Sequence, residues 1–310
     1  MMAITGKKTG ISRSLRMKSR ILLGMIAGLI LCGICTQASE PIKVFVSVAP
    51  QAYFVERIAG DKAEVHVMVN PGQDPHTYEP IPRQMAALSK AVIYFRIGIT
   101  FENAWMQKIQ AASPGMKVVD LRQGVPLLEM QCHEQGDHHD HHLPLPDDQA
   151  KDPHIWLSPS RVKIMAVTIY NALVENAPSQ SDYFNSNLQQ FLADLERTDQ
   201  QIRTMLAPLK NRKFMVYHPA WGYFAADYNL VQIPIETAGK EPSARALTDL
   251  IAMAKAEKVK VVFVQKQFSK RSAEVMAREI GGRVVAMDPL EGDYLNNLIH
   301  TAGILAEALQ

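Results

Sequence analysis

Three of the ten histidines in this chain stand directly beside a proline. They are His76 in DPHTYEP, His154 in DPHIWLSP and His218 in YHPAWGYFA. Imidazole is a good ligand for zinc and related ions, and the neighbouring proline fixes the local backbone, which lowers the cost of holding the ring in place. The pattern therefore predicts a metal site, although each histidine taken alone is better interpreted as an ordinary core or surface residue.

Asp288 adds a carboxylate in a similar setting, after a predicted strand and before a proline. Three of the four positions, His76, His218 and Asp288, follow predicted strands, and parallel α/β sheets bind ligands beyond the carboxyl ends of their strands. Three imidazoles and one carboxylate suit a four-coordinate zinc ion. His66 and His300 lack such a setting and are predicted to be a strand residue and a helix-surface residue.

Residues 131–153 hold half of the histidines, interleaved with acidic residues and prolines. The five are His133, His138, His139, His141 and His142. No apolar periodicity runs through the segment, which predicts a loop, and its composition favours divalent metal binding. We interpret it as an auxiliary element that gathers metal for the main site; the alternative is a metal affinity that the function does not need.

The first 38 residues have the three-part plan of a secretory signal. Six basic residues and no acidic residue precede residue 21, an apolar run covers residues 21–34, and Ala38 ends a stretch suited to cleavage. A stable membrane span needs about 20 apolar residues, so a retained anchor is the weaker alternative. Met17 is an alternative start, and Cys32 or Cys35 is an alternative site of lipid attachment.

Removal of this signal reverses the charge of the chain. The 310 residues include 33 basic and 31 acidic ones, a formal net charge of +2. Without residues 1–38, 27 basic and 31 acidic residues remain, so the net charge is about −4 and gives no case for nucleic-acid binding. Cys132 is then the one cysteine left, so the exported chain has no internal disulfide and depends on its core.

Short β-branched runs alternate with helical stretches along the rest of the chain, which predicts βαβ units and mainly parallel sheets. Residues 181–209 break this pattern, because they contain no strand and their apolar residues recur at helical spacing. They predict one amphipathic helix of about 27 residues, roughly 40 Å long. We therefore predict an α/β fold with two lobes, residues 39–180 and 210–310, joined by this helix as a rigid strut. The alternative is a helix that packs across one sheet.

The segments DPHTYEP, DPHIWLSP, YHPAWGYFA, GKEPS and MDPL occur in this order along the chain. As a set they resemble the metal-binding solute-receptor family of bacterial ABC importers, and within it the zinc-uptake receptors, from about residue 41 to residue 310. The resemblance implies two α/β lobes joined by one long helix, with metal held in the cleft between them. It implies His76, His154, His218 and Asp288 as the ligands. Manganese-preferring members look similar but carry Glu at the position of His218.

Two positions depart from the family pattern. Gln265 stands where relatives usually carry Glu, which puts a supporting role of that carboxylate in doubt. Cys132 has no partner for the disulfide that some zinc receptors contain.

The function that this resemblance implies is capture of Zn²⁺ outside the cytoplasm and its delivery to an ABC permease, without catalysis and as a monomer. A manganese or iron receptor is the alternative within the family. An exported zinc hydrolase, with Asp288 as its base, is a competing hypothesis that no HExxH motif supports. A surface adhesin with a structural metal is a third hypothesis.

Overall fold

The structure is a computed structural model of the chain, and it describes residues 2–3, 40–130, 151–236, 240–268 and 271–310. The predicted signal peptide, apart from residues 2–3, and the part of the predicted His-rich loop at residues 131–150 lie outside the described residues. Pro41–Gln310 form one compact unit. None of the helices within the described ranges combines the length and the apolar character needed to cross a bilayer.

The first half of the chain builds a sheet of four parallel strands in the order β2-β1-β3-β4. The strands are β1 (Ile42–Val46), β2 (Ala63–Val67), β3 (Ile93–Arg96) and β4 (Lys117–Asp120). The connecting helices are α1 (Ala49–Ala59), α2 (Pro82–Leu88) and α3 (Thr100–Ala112). Pro50 and Pro82 stand in the first turns of α1 and α2, where a proline removes no helical hydrogen bond.

The last third of the chain builds a second parallel sheet, in the order β6-β5-β7-β8. Its strands are β5 (Lys213–Val216), β6 (Val231–Pro234), β7 (Val261–Val264) and β8 (Arg283–Ala286). The helices of this part of the chain are α6 (Gly222–Asp227), α7 (Ala244–Ala256), α8 (Arg271–Glu279) and α9 (Tyr294–Ala308). The two sheets share one strand order, a repeat of topology that no residue-level repeat in the sequence reveals.

Two helices connect the sheets: α4 (Pro159–Asn176) and α5 (Ser181–Leu206). Helix α5 has 26 residues, which gives a length of about 39 Å at 1.5 Å per residue, and the predicted long helix is thereby confirmed. Its buried face is formed by Phe184, Leu188, Phe191, Leu195, Ile202 and Leu206. The helix packs against α1 and α4, which precede it in the chain, and against α9, which follows it. The long helix therefore contacts elements from both halves.

Strand β7 is covered on both faces of its sheet, as is usual in parallel sheets. In β7 all four residues are buried, and their side chains divide between two clusters. Val261 and Phe263 join the large core that extends through α5 to the first sheet, whereas Val262 and Val264 pack in a smaller core with residues of α7 and α8. The predicted α/β class is confirmed, and the segments of His76 and His218 follow the carboxyl ends of β2 and β5.

Candidate metal site

Three imidazoles converge in the described part of the chain. Ligand nitrogens of His76, His154 and His218 all lie within 4.8 Å of one another. The Nε2 atom of His218 is 3.1 Å from Nε2 of His76 and 3.3 Å from Nε2 of His154. A tetrahedral zinc ion with nitrogens at about 2.0–2.1 Å separates its ligand atoms by about 3.3–3.4 Å. The two Nε2 distances from His218 are therefore close to the spacing of zinc ligands.

His218 lies just beyond the carboxyl end of β5, as the strand-end rule predicts. The preceding residue still pairs with the sheet, because the backbone N–H of Tyr217 donates to the carbonyl of Phe263 over 2.8 Å. Gln265 donates its side-chain N–H to the backbone carbonyl of His218 over 3.0 Å. The ring of Phe268 stacks on the imidazole with centroids 4.8 Å apart. Backbone and ring are thus both held.

His154 is 3% exposed and precedes a short 3₁₀ turn, Ile155–Leu157. Its segment is tied to the second half of the chain. The hydroxyl of Tyr223 donates to the carbonyl of Asp152 over 2.7 Å, and the indole N–H of Trp156 donates to the carbonyl of Pro289 over 2.8 Å. The predicted lobe boundaries assign His154 to the first lobe, but these contacts fix it against residues that follow the long helix.

His76 comes from the loop between β2 and α2 and is only partly buried. The carboxylate of Asp74 accepts the backbone N–H of His76 over 2.9 Å and the hydroxyl of Thr77 over 3.1 Å. His76 therefore comes from a loop of the first half of the chain. His218 belongs to the second half, and the segment of His154 is hydrogen-bonded to it.

Each imidazole has a partner for its outer nitrogen, Nδ1. Asp152 lies 2.7 Å from Nδ1 of His154, and Glu236 lies 2.5 Å from Nδ1 of His218. For His76 the partner is the hydroxyl of Thr100, the first residue of α3, at 3.0 Å. An acceptor at Nδ1 keeps the proton there and leaves the Nε2 lone pair free to bind an ion.

The sequence analysis gave Asp152, Glu236 and Thr100 no role at the site, because it considered only the histidines and Asp288 as ligands. Asp152 was visible in the Asp-Pro-His motif but was grouped with the predicted loop, residues 131–153. Glu236 follows β6 and could have been found by the same strand-end rule that found His218. Thr100 gave no signal. The carboxylate beside His218 is therefore Glu236, while Gln265 holds the backbone carbonyl of that histidine.

Burial favours the neutral form of His76 and His154. Desolvation, together with repulsion by the other two histidines, lowers the pKa of His76 to about 3. Burial also lowers the pKa of His154 well below its usual value. Burial raises the pKa of the Asp152 carboxyl to about 7. Because metal binds the neutral imidazole, these lowered pKa values keep both rings ready for a cation at neutral pH.

Asp288, the predicted fourth ligand, is not among the three converging residues. One of its carboxylate oxygens lies 3.2 Å from Nζ of Lys266. The other accepts the backbone N–H of Leu290 over 3.0 Å and the side-chain N–H of Gln267 over 3.4 Å. Gln267 and Leu290 line the small cavity at the imidazoles. Asp288 therefore lies next to the site, and its role as a ligand stays a prediction.

The remaining histidines of the sequence analysis fall into two groups. His66 is on β2, where its ring stacks on Phe45 with centroids 5.0 Å apart, and His300 is on α9. Neither belongs to the converging group. The five histidines of the predicted loop, and Cys132, lie outside the described residues.

Comparison with known proteins gives the site its context. A family model described as "ZnuA: Zinc-uptake complex component A periplasmic" matches residues 44–308. The chain belongs to this family. The ZnuA family is one of metal-binding receptors rather than enzymes, so the zinc hydrolase hypothesis is set aside.

One named relative and two solved structures match this chain over most of its length. The high-affinity zinc uptake system protein ZnuA of Bacillus subtilis (strain 168) is 29% identical over 268 residues, which cover 84% of this chain and 82% of that protein. A crystal structure of ZnuA is 46% identical, with a TM-score of 0.80 and coverage of 87% of this chain and 100% of that one. A zinc-bound ZnuA deletion mutant is also 46% identical, with a TM-score of 0.80 and coverage of 87% and 99%.

The lowered pKa of His76 predicts how the metal-free protein responds to acid. Its folded pKa lies below the value of about 6.5 in the unfolded chain, so the unfolded chain binds more protons below that pH. The folded state therefore loses stability as the pH falls from 6.5 towards 3. We expect thermal midpoints in excess chelator to fall more steeply for the wild type than for His76→Gln. His300→Gln should follow the wild type, and parallel curves for all three proteins would contradict the prediction.

Proposed function

We propose that this protein is a receptor outside the cytoplasm that captures Zn²⁺ and delivers it to the permease of an ABC importer. The observation that carries the proposal is the meeting of three imidazole Nε2 atoms, two of them 3.1 Å and 3.3 Å from the third, each with a partner at Nδ1. Membership in the ZnuA family supports it. So do the zinc uptake protein of Bacillus subtilis and the zinc-bound ZnuA mutant among its relatives.

The proposed ligands are His76, His154 and His218. A neutral set of nitrogen donors suits zinc better than manganese, calcium or magnesium, which favour oxygen. The cavity around them is walled by apolar side chains, Trp156 and Phe268 among them, and such walls limit competition by water for the ion. Zinc is therefore the proposed cargo, with manganese less favoured.

Delivery requires that the permease distinguish the metal-bound receptor from the metal-free one, so a bound ion must change the receptor's conformation or mobility. His76 belongs to a loop of the first half, whereas His154 and His218 are fixed against the second half. A zinc ion shared by all three joins this loop to the second half. We propose that this bridge reports occupancy to the permease. The proposed lobes are residues 39–180 and 210–310, joined by the linker 181–209. Because α5 is stiff, we expect the lobes to tilt slightly when metal binds rather than to close widely.

Export and location follow from the same proposal. The family description names a periplasmic component, and a signal peptide at residues 1–38 is the proposed route there. We propose a monomer that binds a metal ion and a permease, without nucleic acid. The His-rich loop, residues 131–153, is proposed to gather metal; Glu129 and Lys151 pair at its base as an antiparallel bridge.

Metal titration tests this function directly. Metal-stripped protein is titrated with zinc, manganese and iron, alongside His154→Ala and the control His300→Ala. We expect tight zinc binding by the wild type and the control, weaker binding of manganese and iron, and a loss of at least 100-fold in zinc affinity for His154→Ala. Equal affinity for the three metals, or undiminished tight zinc binding by His154→Ala, would contradict the proposal.

The preference for zinc over manganese is predicted to depend on His218, where manganese-preferring members of the family carry Glu. In His218→Glu a carboxylate replaces an imidazole, and oxygen donors suit manganese better than zinc. We expect the ratio of zinc to manganese affinity to fall at least tenfold in isothermal titration. His66→Glu, a change of the same type outside the site, should keep the wild-type ratio. An unchanged ratio in His218→Glu would refute the prediction.

Asp288 remains the proposed fourth ligand, which would complete a tetrahedral shell. Its carboxylate must then leave Lys266 when metal binds. We expect Asp288→Asn to weaken zinc binding about tenfold or more, and Lys266→Met to leave it equal or stronger because the carboxylate is released. Wild-type zinc affinity in Asp288→Asn would exclude Asp288 from the ligand set and leave the three imidazoles as the whole protein contribution.

A further inference from the structure

Two carboxylates are buried directly behind two of the three converging imidazoles. Asp152 and Glu236 are each 2% exposed, and each meets the Nδ1 atom of one histidine. Burying a carboxylate is costly unless it is paired, and neither side chain forms a salt bridge with Lys or Arg among the described contacts. Their placement therefore calls for a reason beyond stability.

Asp152 holds His154 at two points. One oxygen, Oδ1, is 2.9 Å from the backbone N–H of His154 and 2.7 Å from its Nδ1 atom. The ring and the backbone of the histidine are therefore fixed by the same atom. The intervening Pro153 restricts the backbone between them, so the Asp-Pro-His motif forms a small rigid unit.

Glu236 reaches His218 from the neighbouring strand. Pairing between β5 and β6 continues past their ends, because the backbone N–H of Glu236 donates to the carbonyl of Tyr217 over 3.0 Å. This places the carboxylate of Glu236 beside the next residue along, His218, at 2.5 Å from Nδ1. The sheet register itself thus sets the contact.

Gly222 makes room for the Asp152 carboxylate. A Cβ atom at Gly222 would lie 2.8 Å from Oδ2 of Asp152, closer than real Cβ contacts allow. Among the described residues, the one other atom found within 4 Å of that position is Nε2 of Gln232, at 3.8 Å. A side chain at position 222 would therefore press on the carboxylate that holds His154, without touching any imidazole.

We propose that Asp152 and Glu236 are positioning residues that hold the proton of His154 and His218 on Nδ1 and aim both Nε2 lone pairs at the metal, and that Gly222 preserves the Asp152 contact. This inference rests on the proposed function and deepens it. The third imidazole, of His76, has a neutral hydroxyl partner in Thr100, so the site combines two carboxylate-backed donors with one weaker donor.

The first test replaces each carboxylate by the amide of the same shape. Asp152→Asn and Glu236→Gln should each weaken zinc binding about 10–100-fold, the usual cost of losing such a partner. Thr100→Val should weaken it less than either amide. The control Asp199→Asn removes a largely buried carboxylate on α5 that pairs with Arg203, and should bind zinc as the wild type does.

Nitrogen-15 NMR of the metal-free proteins separates positioning from a merely structural role. In the wild type, His154 and His218 should be protonated on Nδ1. An amide can present its NH₂ group to Nδ1, so the Nε2-protonated form should gain population at His154 in Asp152→Asn and at His218 in Glu236→Gln. A change confined to the partnered histidine supports the proposal, whereas unchanged tautomers in both variants overturn it.

The second test changes no charged or ligating group. Gly222→Ala should weaken zinc binding at least tenfold, while Gly303→Ala, whose Cβ would lie 3.5 Å from a methionine side chain, should keep wild-type affinity. If the wild type binds zinc tightly but the two amide variants and Gly222→Ala bind within threefold of it, this inference fails and the proposed function stands. If the wild type does not bind zinc, the proposed function itself fails.

Discussion

The structure depends on bringing three imidazoles together, with Nε2 of His218 3.1 Å from Nε2 of His76 and 3.3 Å from Nε2 of His154. Burial of His154 and His218 removes the water that would otherwise solvate these rings. Neighbouring groups must therefore hold the rings in place: a proline next to each histidine in the chain, a hydrogen-bond partner at each Nδ1, and Phe268 stacked on His218. Burial, with repulsion by the neighbouring imidazoles as the smaller cause, lowers the pKa of His76 and of His154.

The fold meets this constraint by using one strand order twice. Each parallel sheet places its loops at the carboxyl ends of its strands, and the site takes His76 from the loop after β2 and His218 from the end of β5. His154 joins them from the segment that precedes α4, which is tied to the second half by Trp156 and Tyr223. The 26-residue helix α5 packs against helices from both halves and so limits how far the halves can move apart.

Much of this was predictable from local pattern. Apolar spacing gave the long helix, expected over residues 181–209 and found at Ser181–Leu206, and the alternation of strands and helices gave the α/β class. The three prolines beside histidines singled out the converging imidazoles.

The supporting carboxylates were missed because their roles depend on sheet register and on a local turn in which a side chain bonds to a residue two positions later. Glu236 meets His218 only through the pairing of β5 with β6, and Asp152 was hidden at the edge of a His-rich tract. The orientation of Asp288 towards Lys266 likewise depends on tertiary contact, which residue spacing does not encode.

X-ray absorption at the zinc edge, on protein loaded with one equivalent of zinc, tests most directly the claim that three imidazoles hold the ion. The account predicts a four-coordinate shell of nitrogen and oxygen at about 2.0–2.1 Å, with the outer-shell scattering of three imidazole rings. Replacing His76, His154 or His218 by alanine should remove one imidazole from that signal. A sulfur shell at about 2.3 Å, or an imidazole count that these three substitutions leave unchanged, would contradict it.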